Sequence, residues 1–213
     1  MEMLREEDLK IMRKELFKYD QNRERVLKLT REAVRLTSRA ITHIHRSEYP
    51  AARSDLKKAE QRIRRAESIT GKDPWFPAHK NLLTAYQELA EAKILYEFAV
   101  RMEVPSLRDV NVEVVPYLLG LLDFIGELRR MTATSILKGD LKKAENAMNV
   151  MEGILDDLTM LNHTASVDSF RHKLDAARRI VEATRGDVVT EIRRWNLENA
   201  LNRFEERVHL NRK

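Results

Sequence analysis

The chain is 213 residues long, with 39 lysines and arginines against 34 aspartates and glutamates, six glycines, five prolines and no cysteine. That length is enough for one domain with a real core, while the lack of cysteine excludes disulfides, thiolate metal sites and cysteine nucleophiles. The N-terminus has no apolar signal core, and no run reaches the roughly 18 apolar residues that span a membrane, so a soluble cytoplasmic protein is expected.

Helical periodicity begins near Glu6 and continues to Arg46, with Val26, Leu29, Ala33, Val34, Ala40, Ile41 and Ile44 in one apolar arc. Ser47 to Pro50 interrupts it, because the residue before a proline avoids the helical region. A second helix is predicted from about Ala51 to Ser68, ending near Gly71, and Lys72 to Pro77 reads as a loop. The third runs from about Ala78 to Met102 and stops before Pro105, with Ser106 to Asn111 as a short connector. The fourth, from about Val112 to Leu137, is the most apolar stretch of the chain. Lys138-Gly139-Asp140 is a turn whose aspartate can cap a fifth helix reaching about Asn162. A sixth is expected from Ser166 to Thr184, closing at Arg185-Gly186, and Asp187 is placed to cap a seventh, polar helix over about 187–209. The pattern predicts an all-α protein: one domain over 1–213, built of about seven helices.

Two acidic pairs carry the candidate chemistry. Glu88 and Glu91 are three apart on the third helix, and Asp123 and Glu127 are four apart on the fourth, so each pair shares a helix face. Asp123 is the only charged residue between Val114 and Gly126. An ionised carboxylate in such apolar surroundings needs a cation or a hydrogen-bond network. Gly120 and Gly126 thin the same helix, which allows another backbone or a ligand to come close. If the two helices pack face to face, four carboxylates converge, and hard divalent ions such as Mg²⁺ or Mn²⁺ favour that oxygen chemistry. A salt-bridge network with Arg129 and Arg130 is the competing reading, and the residues alone do not decide between them.

Cations are the second feature. Lys28, Arg35, Arg39 and Arg46 fall in a narrow arc of the first helix opposite its apolar face. Such a row can track a phosphate backbone, though it is also what the solvated face of any amphipathic helix looks like. His79 and Lys80 stand at the start of the third helix, where backbone N–H groups favour a phosphate. No Glu-x-x-His occurs on either carboxylate helix, which argues against a ferritin-like di-iron centre, and Gly-rich phosphate loops and Gly-x-Ser-x-Gly elbows are missing.

Several segments together resemble the translin family, and more closely its translin-associated factor X branch. They are Arg23 to Arg31 continuing through Ile41 to Arg46, the stretch Gln87-Glu88-Leu89-Ala90-Glu91-Ala92, and Tyr117 to Leu128 leading into Arg130-Met131, Ser135 and Gly139-Asp140. The resemblance spans about residues 20–186. It implies a helical protein that assembles as a homo-octamer or another closed oligomer and binds single-stranded RNA and DNA, alone or beside a translin-like partner. It also implies a Mg²⁺-dependent endoribonuclease whose four acidic residues fall on Glu88, Glu91, Asp123 and Glu127. Of the family's two histidines near the start of the third helix, only His79 matches, with Asn81 at the other place. A non-catalytic single-strand-binding oligomer and an all-α Mg²⁺-dependent nucleotide pyrophosphohydrolase are the alternatives; for the latter, Asp-x-x-x-Glu is a poorer match than the usual Glu-x-x-Asp.

Overall fold

The structure, a computed structural model, describes residues 4–71, 73, 74, 76–161, 167 and 169–210, with side chains as far as 206. The described residues are helical throughout their ordered elements: α1 Glu6–His45, α2 Tyr49–Thr70, α3 His79–Arg101, α4 Leu107–Val110, α5 Val114–Leu137, α6 Leu141–Met160 and α7 Phe170–Leu210. No described helix is long and apolar enough to cross a membrane. The residues group into two compact units, 1–120 and 121–213, with α5 crossing from one to the other.

In the first unit α1, α2 and α3 pack on one another. The α1–α2 hairpin has a seam of small residues at seven-residue spacing. Val26, Ala33 and Ala40 on α1 and Ala52, Ala59 and Ala66 on α2 are all fully buried. Between them fall Thr30, Thr37 and Ile44, and Leu56, Ile63 and Thr70, so both helices present a coiled-coil-like stripe. The two buried threonines of α1 satisfy their hydroxyls locally: Thr30 donates to the Val26 carbonyl at 3.0 Å and Thr37 to the Val34 carbonyl at 2.9 Å. Leu89, Ile94, Leu95 and Phe98 of α3 complete this core.

In the second unit α6 packs on α7 through Ala147, Met151 and Leu158 on one side and Phe170, Leu174, Ala177 and Val181 on the other, all buried. The carboxylate turn of α5 belongs to this unit and is buried round most of its circumference, with Phe124, Ile125 and Leu128 inaccessible.

The expected ends near Gly71 and Met102 occur, and the break expected at Ser47 to Pro50 falls slightly earlier, with α1 ending at His45 and α2 starting at Tyr49 and taking Pro50 into its first turn. The turn before α6 also forms as expected: Gly139 takes φ +73°, the region glycine tolerates best, and Asp140 accepts from the Lys143 N–H at 3.0 Å. The short connector expected at 106–111 is present and contains the one-turn helix α4, held by a capping box in which Ser106 accepts from the Asp109 N–H and Asp109 accepts from the Ser106 N–H. One expectation fails. The break at Arg185-Gly186 is absent, and residues of the expected sixth and seventh helices form one helix of 41 residues. A mid-helix glycine costs only about 1 kcal/mol relative to alanine, and buried Thr184 and Val188 on either side continue the apolar stripe through it. Lys72 and Trp75 of the expected loop, Asn162 at the expected end of the fifth helix and Ser166 at the start of the sixth lie outside the described residues.

Both long helices carry apolar side chains beyond the packed core. Ile11, Leu16 and Phe17 of α1 and Trp195, Leu197, Leu201 and Phe204 of α7 are each more than half exposed.

Candidate functional site

Glu88 and Glu91 sit mid-way along α3, in the first unit. Their turn is buried because Leu89, Ala90 and Ala92 beside them are core residues. Glu91 itself is only 9% exposed, and Glu88 is half-buried. Both have interaction partners, as polar groups at that depth must. Gly120, at the end of the first two turns of α5, lies directly against this part of α3. A Cβ there would stand 2.9 Å from the Glu91 backbone nitrogen, 2.9 Å from the Ala90 Cβ and 3.2 Å from the Gln87 carbonyl oxygen. The close approach expected at Gly120 is therefore real, and what fills it is the backbone that carries Glu91. A Cβ at Gly126 would meet nothing within 4 Å among the described residues.

Asp123 and Glu127 belong to the second unit. Their side chains are 24% and 21% exposed, so both are partly withdrawn from water without being sealed off. Asp123 accepts from the Lys173 ammonium, carried by the first turn of α7. Glu127 has Arg130 one helical turn away at 3.8 Å, a long contact to a side chain that is 57% exposed. Arg129 turns elsewhere: its guanidinium donates to the Thr184 hydroxyl at 3.1 Å and to Asp187 at 3.4 Å. Asp187 thus pairs with Arg129 from inside α7 and caps nothing.

Among the described residues, no group of three or more histidine, aspartate or glutamate side chains is gathered closely enough to hold a metal ion. Mg²⁺ seldom needs such a group. It retains several waters and is commonly bound through one or two carboxylates together with substrate phosphates. A half-buried Asp-Glu pair on one helix face fits that donor chemistry in kind and number, and so does Glu88 with Glu91.

The cations are used unequally. Lys28 and Arg35, with Arg25 and Arg31, line a shallow hollow along α1, while Glu32 at its edge accepts from Arg62 of α2 at 2.7 Å. Arg39 is committed to the fold, gripping Asp55 of α2 through two hydrogen bonds of 2.5 and 2.6 Å. Those bonds hold the Asp55 carboxyl below the usual carboxylate range, against its burial, and raise the Arg39 pKa further. Arg46 is exposed at the C-terminal cap of α1. His79 is the first residue of α3 and Lys80 is exposed beside it. The His79 Nδ1 is buried and has no hydrogen-bond partner among the described residues.

Sequence reasoning missed Lys173 and Asp55. Asp55 left a readable signal, a carboxylate on the buried stripe of α2 between Ala52 and Leu56. Lys173 left none, because its partner is 50 residues away.

Comparison with known proteins agrees with this architecture. The translin family profile matches residues 21–183. A curated relative, an uncharacterized protein of Methanocaldococcus jannaschii, is 33% identical over 189 residues, which is 87% of this chain and 83% of the relative. Among solved structures, apo-NeC3PO is similar with a TM-score of 0.79, covering 90% of this chain and 100% of its own, at 22% identity. AfC3PO is similar with a TM-score of 0.78 and 31% identity, covering 86% of this chain and 96% of its own. A further AfC3PO structure, a complex with duplex RNA, gives a TM-score of 0.75 at 30% identity, with the same coverage. With its family profile spanning most of the helical core, the chain belongs to the translin family.

Proposed function

We propose that the protein is a metal-dependent endoribonuclease that cleaves single-stranded or partly structured RNA by attack of water on a phosphodiester. Two carboxylate pairs, Glu88 with Glu91 and Asp123 with Glu127, supply oxygen ligands, and Mg²⁺ or Mn²⁺ is the cofactor. The observation that carries this reading is the half-buried Asp123–Glu127 pair on the most apolar helix of the chain, which the resemblance above sets at the acidic positions of the family's catalytic branch. The duplex-RNA complex of AfC3PO, at 30% identity, supports RNA as the partner.

When bound, such an ion lowers the pKa of water and stabilises the leaving oxygen. The chain's own residues hold and orient. Lys28, Arg35 and Arg46 present cations on one side of α1, and His79 and Lys80 bring donors to the N-terminus of α3, where the helix dipole favours a phosphate. Arg39 is the weakest candidate of this group, because Asp55 already neutralises it. The exposed apolar residues of α7 at Leu197, Leu201 and Phe204 recur at helical spacing, and the apolar area they leave open supports assembly into a closed oligomer, a homo-octamer by the family pattern.

A second reading, a non-catalytic single-strand binder, is favoured by the cations already facing Asp123 and Glu127. Cleavage of a labelled single-stranded RNA with Mg²⁺, with EDTA and with Glu127→Gln separates the two. Metal-dependent cleavage that the variant loses supports the nuclease. Cleavage undiminished in the variant removes the assigned site, and RNA binding without any metal-dependent product leaves the binder.

A further inference from the structure

The Lys173–Asp123 contact is not explained by the fold alone. α7 is already fixed on its unit by Phe170 and Leu174, which are 0% and 2% exposed on either side of Lys173. Lys173 itself is on the edge of that stripe, with its side chain 31% exposed, and its stem carries the ammonium to an oxygen of Asp123. Across the same helix face Glu127 faces Arg130. Each of the two carboxylates thus has a monovalent cation among its contacts, and neither pairing is sealed from water.

A lysine ammonium is a compact point charge on a flexible stem, with three donors and no fixed geometry. It can neutralise a carboxylate and still release it, since an ion pair that water reaches holds its partners only weakly. A divalent ion on the same oxygens carries twice the charge. Once it is there, the ammonium is repelled from the carboxylate but stays tethered to α7 within reach of the same site.

We propose that Lys173 is the resident counter-cation of the α5 carboxylate pair: it neutralises Asp123 when no divalent ion is bound, yields that carboxylate when one arrives, and then stands beside it as a mobile cation for an RNA phosphate. This rests on the metal-ion reading above. It accounts for a pair of acids on an apolar helix that already face cations and still reach water.

The test is Mn²⁺ binding by the full-length protein, measured by calorimetry, together with thermal unfolding of the metal-free protein. Lys173→Met keeps the apolar stem and removes the charge. It is expected to lower the melting temperature of the metal-free protein and to tighten Mn²⁺ by roughly three- to tenfold. Lys173→Arg grips a carboxylate with a planar fork and is expected to move Mn²⁺ affinity the other way. A merely structural lysine gives lower stability in Lys173→Met with Mn²⁺ affinity unchanged or weaker, and that result overturns the inference alone. Absence of Mn²⁺ binding that is sensitive to Asp123→Asn in the wild-type protein overturns the metal reading, and the inference with it.

Discussion

Replacing Gly120 by alanine tests how tightly α5 is seated on the turn that carries Glu91. The added Cβ would stand 2.9 Å from the Glu91 nitrogen and the Ala90 Cβ and 3.2 Å from the Gln87 carbonyl oxygen. Two of those three atoms are backbone, so no side chain can swing aside, and α5 must back away from α3. Overpacking of this kind costs about 1–3 kcal/mol. Against it, alanine in place of a mid-helix glycine gains about 1 kcal/mol. The net is a loss of about 1 kcal/mol, or roughly 2–4 °C in melting temperature for a chain of this size. Gly126→Ala is the control on the same helix, because its Cβ enters open space among the described residues. It should gain up to about 1 kcal/mol and melt later. Thermal unfolding followed by circular dichroism reads both. If Gly120→Ala is stabilised as much as Gly126→Ala, helix propensity outweighs contact at Gly120 and the close approach is not as drawn.

Asp55→Ala removes the acceptor of both Arg39 hydrogen bonds and should cost about 1.5–3 kcal/mol at neutral pH, measured by urea unfolding. The folded-state pKa of Asp55 is lowered, so its contribution is present above the ordinary aspartate value of about 4 and is lost as pH falls through the folded value. The difference between wild type and variant should therefore shrink under acid conditions; a gap that persists undiminished there would mean that packing, not the ion pair, is what the variant loses. Gly186→Ala should stabilise by about 0.5–1 kcal/mol, because Gly186 lies inside a continuous α7 and its Cβ meets nothing among the described residues. Destabilisation there would restore the helix break that the sequence suggests.

Most of the fold is legible from apolar spacing because α1 and α2 each bury one continuous stripe and several helices begin or end at a strong local signal. Met102, for example, turns left-handed just before Pro105, and Gly139-Asp140 supplies a turn and a cap. The error comes where local and tertiary signals compete. Gly186-Asp187 looks like a stop followed by a start, yet burial of Thr184 and Val188 outweighs the glycine's cost and carries the helix through. In the candidate site, the face shared by Asp123 and Glu127 follows from spacing, and the close approach at Gly120 from its missing side chain, which at Gly126 meets no described neighbour. What spacing cannot give is the identity of long-range partners. Lys173 comes to Asp123 from 50 residues away, Asp55 takes Arg39 out of the basic row, and Arg129 turns to Thr184 and Asp187 instead of the acids.

The central claim, that the helix-borne carboxylates serve cleavage and not merely folding or RNA binding, is tested most directly with Asp123→Asn. Its affinity for a single-stranded RNA and its rate of cleavage in Mg²⁺ are measured side by side with wild type. The predicted result is RNA affinity within about twofold of wild type and cleavage lower by at least about a hundredfold, as expected when a metal-holding group loses its charge. Cleavage at the wild-type rate by a folded Asp123→Asn protein would contradict the account.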